Sequence, residues 1–193
     1  MKMFDPKADL FFQDPGIHPP NPADYGVLHL LRRDIYRCLG WDPSTGAKTG
    51  HVTLWPGGMA ILAGIDLLAK SYEGNDESGP GKIGQRFREF IKKYFQPISS
   101  GDAETIYQLR NSLLHSFGLY SRAKGQEYHF ALSAHGAPLV QAISDGHYQV
   151  DLLTLHAQFE DSVQRYASEL NDNSALQEKF LRMFPIYGSV RIE

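Results

Sequence analysis

Cysteine is almost missing from this chain: Cys38 is the one thiol in 193 residues, so no disulfide can close within it. N-x-S/T glycosylation acceptors are absent altogether. No apolar run approaches the ~20 residues that span a bilayer. The opening stretch MKMFDPKADLFFQDPG breaks its apolar residues with Asp5, Asp9 and Asp14, unlike a signal peptide. These absences predict a cytoplasmic protein with no membrane partner. They also make Cys38, within the helical pattern LLRRDIYRCLGW, a structural thiol rather than a nucleophile.

Metal and cofactor signatures are missing too. The eight histidines form no H-E-x-x-H, and His156 with Glu160 is the single helical pair, too few ligands for a site. No G-x-S-x-G elbow occurs. A literal G-x-G-x-x-G stands at Gly79, Gly81 and Gly84, but an acidic loop precedes it and Pro80 interrupts it. A dinucleotide turn needs a strand there, so the motif reads as a linker. Neither a metal nor another cofactor is expected.

What is present is ordinary globular material: 42% hydrophobic and 21% charged residues, with eleven Phe and ten Tyr for a core. The net charge of -3 hides an asymmetry. Between Lys82 and Lys124 eight Lys or Arg face three acids, a net of +5, leaving -8 for the remainder. Such a segment suits a polyanion, and Arg86, Lys92, Lys93, Arg122 and Lys124 are the residues expected to track its backbone.

Periodicity predicts an extended arm over 1–22, ending in HPPNP, and one helical domain over 23–193. Helices are expected at about 24–39, 56–72, 82–95, 99–116, 152–170 and 174–183. The run LYSRAKGQEYHFALS predicts a hairpin around Lys124-Gly125, and a second short pair is expected around Asp145-Gly146. The fold expected is mainly α: an up-and-down helical bundle with a small antiparallel β-hairpin after the motif helix.

That motif helix reads DAETIYQLRNSLLHSFG. At 100° per residue, Arg110 falls in the middle of an apolar arc. A buried guanidinium costs several kcal/mol unless anions or carbonyls meet it. Asn111 and His115 lie on the adjoining flank, one turn apart. A cation, an amide and a titratable ring together suit attack on an RNA phosphodiester, which carries its own 2′-hydroxyl nucleophile. His115 would move protons, Arg110 would hold the phosphate and its transition state, and Asn111 would orient the ring or the phosphate. On an ideal helix Arg110 and His115 point roughly 140° apart. Two copies across a two-fold axis would close that gap and cover the apolar rim, which predicts a homodimer.

Arg110-Asn111-x-x-x-His115 resembles the HEPN superfamily, over about fifteen residues centred on YQLRNSLLHSFGL. The resemblance implies a small helical dimer with paired motif helices and catalytic Arg110 and His115. It implies a metal-independent endoribonuclease of the toxin, defence or RNA-processing type, with a cognate antitoxin or regulatory protein as partner. The alternative it equally allows is a non-catalytic HEPN-like interaction or ligand-binding protein.

Overall fold

A computed structural model of the chain describes residues 3–17 and 24–191. A central helix organises it. Helix α3, Leu54–Glu73, packs against α2 (Val27–Cys38), α4 (Lys82–Tyr94), α5 (Ser100–Ser116), α6 (Leu152–Asp172) and α7 (Ser174–Tyr187). Its sequence MAILAGIDLLA is apolar on nearly every side because it has neighbours on nearly every side, and Ile61, Leu62, Ile65 and Leu68 are fully buried. Gly74, at φ +76°, ends it in the left-handed conformation that costs glycine least. Around its C-terminal turn, Tyr72, Phe90, Tyr94 and Tyr166 meet at tilted or edge-on angles. Among the described residues no helix is long and apolar enough to cross a membrane.

The arm is not extended throughout. Pro6–Phe11 forms helix α1, begun by the Asp5 carboxylate accepting the Lys7 N–H at 2.8 Å with proline in the first turn. Phe11 is 1% exposed and meets Phe180 and Phe184 edge-on, so this segment belongs to the core. The HPPNP stretch, 18–22, lies outside the described residues. Just beyond it, β1 (Asp24–Gly26) pairs antiparallel with β6 (Ser189–Arg191), Tyr25 opposite Val190.

The strands correct the expected fold class. Hairpin β2–β3 (Tyr120–Ala123, Gln126–Ser133) turns at Lys124 and Gly125, both at positive φ as a type I′ turn requires. Hairpin β4–β5 (Val140–Ser144, His147–Asp151) follows. The two do not stand apart. Strand β3 pairs in parallel with β5, His129 opposite His147, giving one mixed four-stranded sheet in the order β2-β3-β5-β4. The chain is therefore α/β, not a helical bundle carrying one small hairpin. Tyr128, Phe130 and Val150 face the helices, while His129 and His147 stack on the outer face. Local turn residues announce each hairpin, but a parallel seam has no local signal. Strand β4, VQAIS, is exposed along nearly its whole length and shows no inward-outward alternation.

Candidate functional site

The end of α5 is fixed first at its start. Ser99 Oγ accepts the Asp102 N–H at 3.0 Å and donates to Asp102 Oδ2 at 2.8 Å, setting the helix register. Ile106, Leu109 and Leu113 then bury one face completely. Arg110 points into that face and is 7% exposed. Its partner is Asp66 of α3, itself 8% exposed. Arg110 Nε donates to Asp66 Oδ2 at 2.7 Å and Nη2 binds the same oxygen. Asp66 Oδ1 is buried without a hydrogen-bond partner.

The remaining nitrogen turns toward the motif. Arg110 Nη1 donates to Asn111 Oδ1 at 3.2 Å and contacts His115 Nε2. A guanidinium only donates, so Nε2 accepts and the ring carries its proton on Nδ1. All three motif residues thus meet within one chain. Arg110, rather than Asn111, orients the imidazole. The two premises of a second copy are satisfied internally: Asp66 answers the buried cation, and the long Arg110 side chain spans the wheel angle.

His115, Asn111 and Ser116 border a pocket of about 520 Å³ between α5, the start of α4 and strand β2. Its volume suits a small ligand. On the α4 side Arg88 lies over the Tyr107 ring, 4.6 Å from its centroid, and bridges Glu104 Oε2 at 3.2 Å. On the β2 side stand Tyr120, Arg122 and Lys124. A hydrogen-bonded relay links the walls: Ser121 Oγ donates to Gln108 Oε1 at 2.7 Å, and Gln108 Nε2 donates to Glu104 Oε1 at 2.7 Å. Glu104 is the one carboxylate among the described residues lining the pocket.

The expected basic track divides. Arg122 and Lys124 line the pocket, with Arg122 paired to Glu127. Lys92 is exposed on α4. Lys93 is occupied by Glu169 at 2.6 Å. Arg86 is 5% exposed and donates to the Glu77 carbonyl of the preceding loop at 2.7 Å, so it cannot follow a backbone. Arg88 belongs to the pocket and was not singled out by sequence. Its spacing from Glu104 across two helices leaves no sequence signal. Asp66 did leave one, as the one carboxylate within the apolar run MAILAGIDLLA.

The glycines read as a linker have local duties. Gly81, at φ +80°, opens α4. Gly84 lies under Tyr107, where a Cβ would come within 2.6 Å of the ring. His156 and Glu160 form part of a structural cluster, since Arg32 Nε donates to Glu160 Oε1 at 3.0 Å and the His156 ring lies 3.6 Å from that carboxylate. Burial alone would raise the Glu160 pKa, but the hydrogen-bonded Arg32 guanidinium and the nearby His156 ring hold it at about 2. Among the described residues no group of three His, Cys, Asp or Glu side chains is arranged to hold a metal. Cys38 is half-buried. No protein-family model, curated protein or solved structure matches this chain.

Proposed function

We propose that the pocket at the end of α5 cleaves RNA by attack of the 2′-hydroxyl on its own phosphate, without a metal. One observation carries this reading. A buried Asp66–Arg110 pair holds the His115 ring at the edge of a pocket bordered by Arg88, Arg122 and Lys124. The pocket therefore offers a proton carrier and three cations where a phosphodiester would lie.

In this reading His115 accepts the 2′-hydroxyl proton on Nε2 as the O2′–P bond forms and the P–O5′ bond breaks. The imidazolium then protonates the departing 5′ oxygen, leaving a 2′,3′-cyclic phosphate and a 5′-hydroxyl. Arg110 positions the ring until substrate enters. A phosphate oxygen entering beside the ring competes for the Nη1 hydrogens and frees Nε2 to act as base. Arg88, Arg122 and Lys124 share with Arg110 the phosphate-holding role that the sequence assigns to Arg110 alone. The Arg-Asn-x-x-x-His spacing supports membership of the HEPN superfamily on an α/β body, with an antitoxin or regulatory protein as partner. A homodimer is not needed for this chemistry, since each chain supplies every group named.

Purified protein incubated with mixed RNA in EDTA is expected to leave 2′,3′-cyclic ends, and His115→Ala to lose about 10²–10⁴-fold in rate. Products with 5′-phosphate ends, or full activity in His115→Ala, would falsify the reading. A second reading rests on the 7% exposure of Arg110 and the pairing of its nitrogens inside the chain. There the motif only ties α5 to α3, and the pocket binds an anionic ligand or partner without cutting it. RNA bound equally by wild type and His115→Ala, with no cleavage by either, is its signature.

A further inference from the structure

The wall of the pocket formed by β2 ends a row of rings. On the outer sheet face the His147 and His129 imidazoles stack at 4.6 Å and 10°. Tyr120 lies beyond them, its centroid 5.0 Å from His129 and its plane tilted by 51°. Its hydroxyl donates to Glu127 Oε1 at 3.2 Å, which anchors the tip of the ring. Tyr120 is still 42% exposed and lines the pocket. A ring braced from behind and open in front is a preorganised surface for one more flat ring, and a nucleobase stacks on such a surface whatever its identity.

Identity comes from the edge. Gln108 is spent, because its oxygen accepts from Ser121 and its nitrogen donates to Glu104. Glu104 is not spent. An ionised carboxylate offers about four lone-pair positions, and here one oxygen meets Gln108 and the other Arg88. Each oxygen keeps capacity for a second donor. Guanine alone among the RNA bases presents two parallel donors, N1–H and the N2 amino group, to such a fork. Adenine turns its N1 lone pair toward the carboxylate, cytosine its N3, and uracil has one N–H between two carbonyls.

We infer that this pocket is a guanine-binding subsite, in which Tyr120 stacks on the base and Glu104 accepts from its N1–H and N2 amino group. As a feature of an RNA-cutting pocket it rests on the ribonuclease reading, with Tyr120 and Glu104 setting specificity beside the guanosine phosphate. The same chemistry would hold a free guanine nucleotide.

Calorimetric titration of the folded His115→Ala protein with 3′-GMP, 3′-AMP, 5′-GMP and a short single-stranded RNA containing one guanosine separates these cases. We expect 3′-GMP to bind at least about tenfold more tightly than 3′-AMP. Tyr120→Ala should weaken 3′-GMP about tenfold, consistent with one lost base stack, while Tyr120→Phe retains it. Glu104→Gln, nearly the same shape, should bring the 3′-GMP to 3′-AMP ratio close to one. Circular dichroism on each variant confirms that the fold is kept. Equal binding of 3′-GMP and 3′-AMP, or an unchanged ratio in Glu104→Gln, overturns the subsite, and RNA cleavage in EDTA then leaves the ribonuclease reading standing. Guanine preference without RNA cleavage by wild type removes that reading and keeps the subsite. In that case 5′-GMP bound more tightly than the RNA identifies a free nucleotide as ligand.

Discussion

Arg110 and Asp66 are forty-four residues apart in sequence, yet Nε of one donates to Oδ2 of the other at 2.7 Å, joining the motif helix to the central helix inside the core. Removing either partner leaves a buried charge unmatched, a loss of about 3–5 kcal/mol. Asp66→Ala and Arg110→Ala should each lower the urea midpoint sharply. The double change Asp66→Leu with Arg110→Met removes both charges and should recover most of that stability while remaining without RNA-cleaving activity. A double variant no more stable than the singles would mean that the pair is not the coupled unit described.

Gly84 inverts the usual rule for glycine within a helix. Alanine at such a position normally gains up to about 1 kcal/mol. Here the added methyl would approach the Tyr107 ring to 2.6 Å. Overpacking of this kind costs about 1–3 kcal/mol, so Gly84→Ala should melt earlier than wild type. It should also displace Arg88, which rests on that ring. A gain in melting temperature would place the ring elsewhere.

The basic residues should separate in a salt titration of RNA binding. Neutralising Arg122 and Lys124 together removes two pocket cations and should flatten the slope of log K against log salt by roughly 1.4. Neutralising Lys92 and Lys93 should leave that slope alone. Lys93 already serves Glu169, and Lys92 does not line the pocket. A larger effect from the second pair would move the RNA path onto the exposed face of α4.

Acid should weaken the fold through Glu160. Its folded pKa of about 2 lies below the ordinary 4.5, so the stabilisation is fully present above 4.5 and is lost as pH falls through about 2. The whole contribution is about 3 kcal/mol. His29, wholly buried, adds an earlier decline: burial pushes its pKa below 6.5, so the unfolded chain takes the proton first as pH drops. Melting temperature plotted against pH should fall in both ranges. Glu160→Gln should flatten the lower range and leave the His29 range in place.

Because Arg110 and His115 meet within one chain, turnover per chain should not change on dilution. Initial rates measured over a hundredfold range of protein concentration test this directly. A rate per chain that collapses at low concentration would show that the second copy expected from the sequence supplies part of the site.

Sequence alone went furthest where the physics is local. Helix starts near Ser99 and Ser174 and turns at Lys124-Gly125 and Asp145-Gly146 all follow from neighbouring residues. The buried cation was legible as well, since Arg110 stands in an apolar arc. Asp66 is legible as a charge in an apolar run but not as the partner of Arg110, because a wheel describes one helix and Asp66 sits on another. The wheel also misjudged the motif. It treats side chains as spokes, whereas the arginine stem bends around the helix to meet His115. The β3–β5 seam escaped for a related reason: pairing in parallel depends on strands that neither share a turn nor alternate strongly. Tyr120 falls within the predicted hairpin, but nothing in its neighbours reveals the imidazoles that lie beside it.

That parallel seam also orders events in time. Each hairpin closes over a turn of a few residues, a fast step, whereas the seam joins strands separated by β4 and the loops on either side of it. Pulse-labelled amides should gain protection within the two hairpins before they gain it across the seam, where Phe130 pairs with Tyr148. Strand β2 supplies one side of the pocket from the far edge of this sheet. A nascent chain thus completes its motif helix at Ser116 well before the sheet that frames the pocket is sealed at Asp151, so the site matures late.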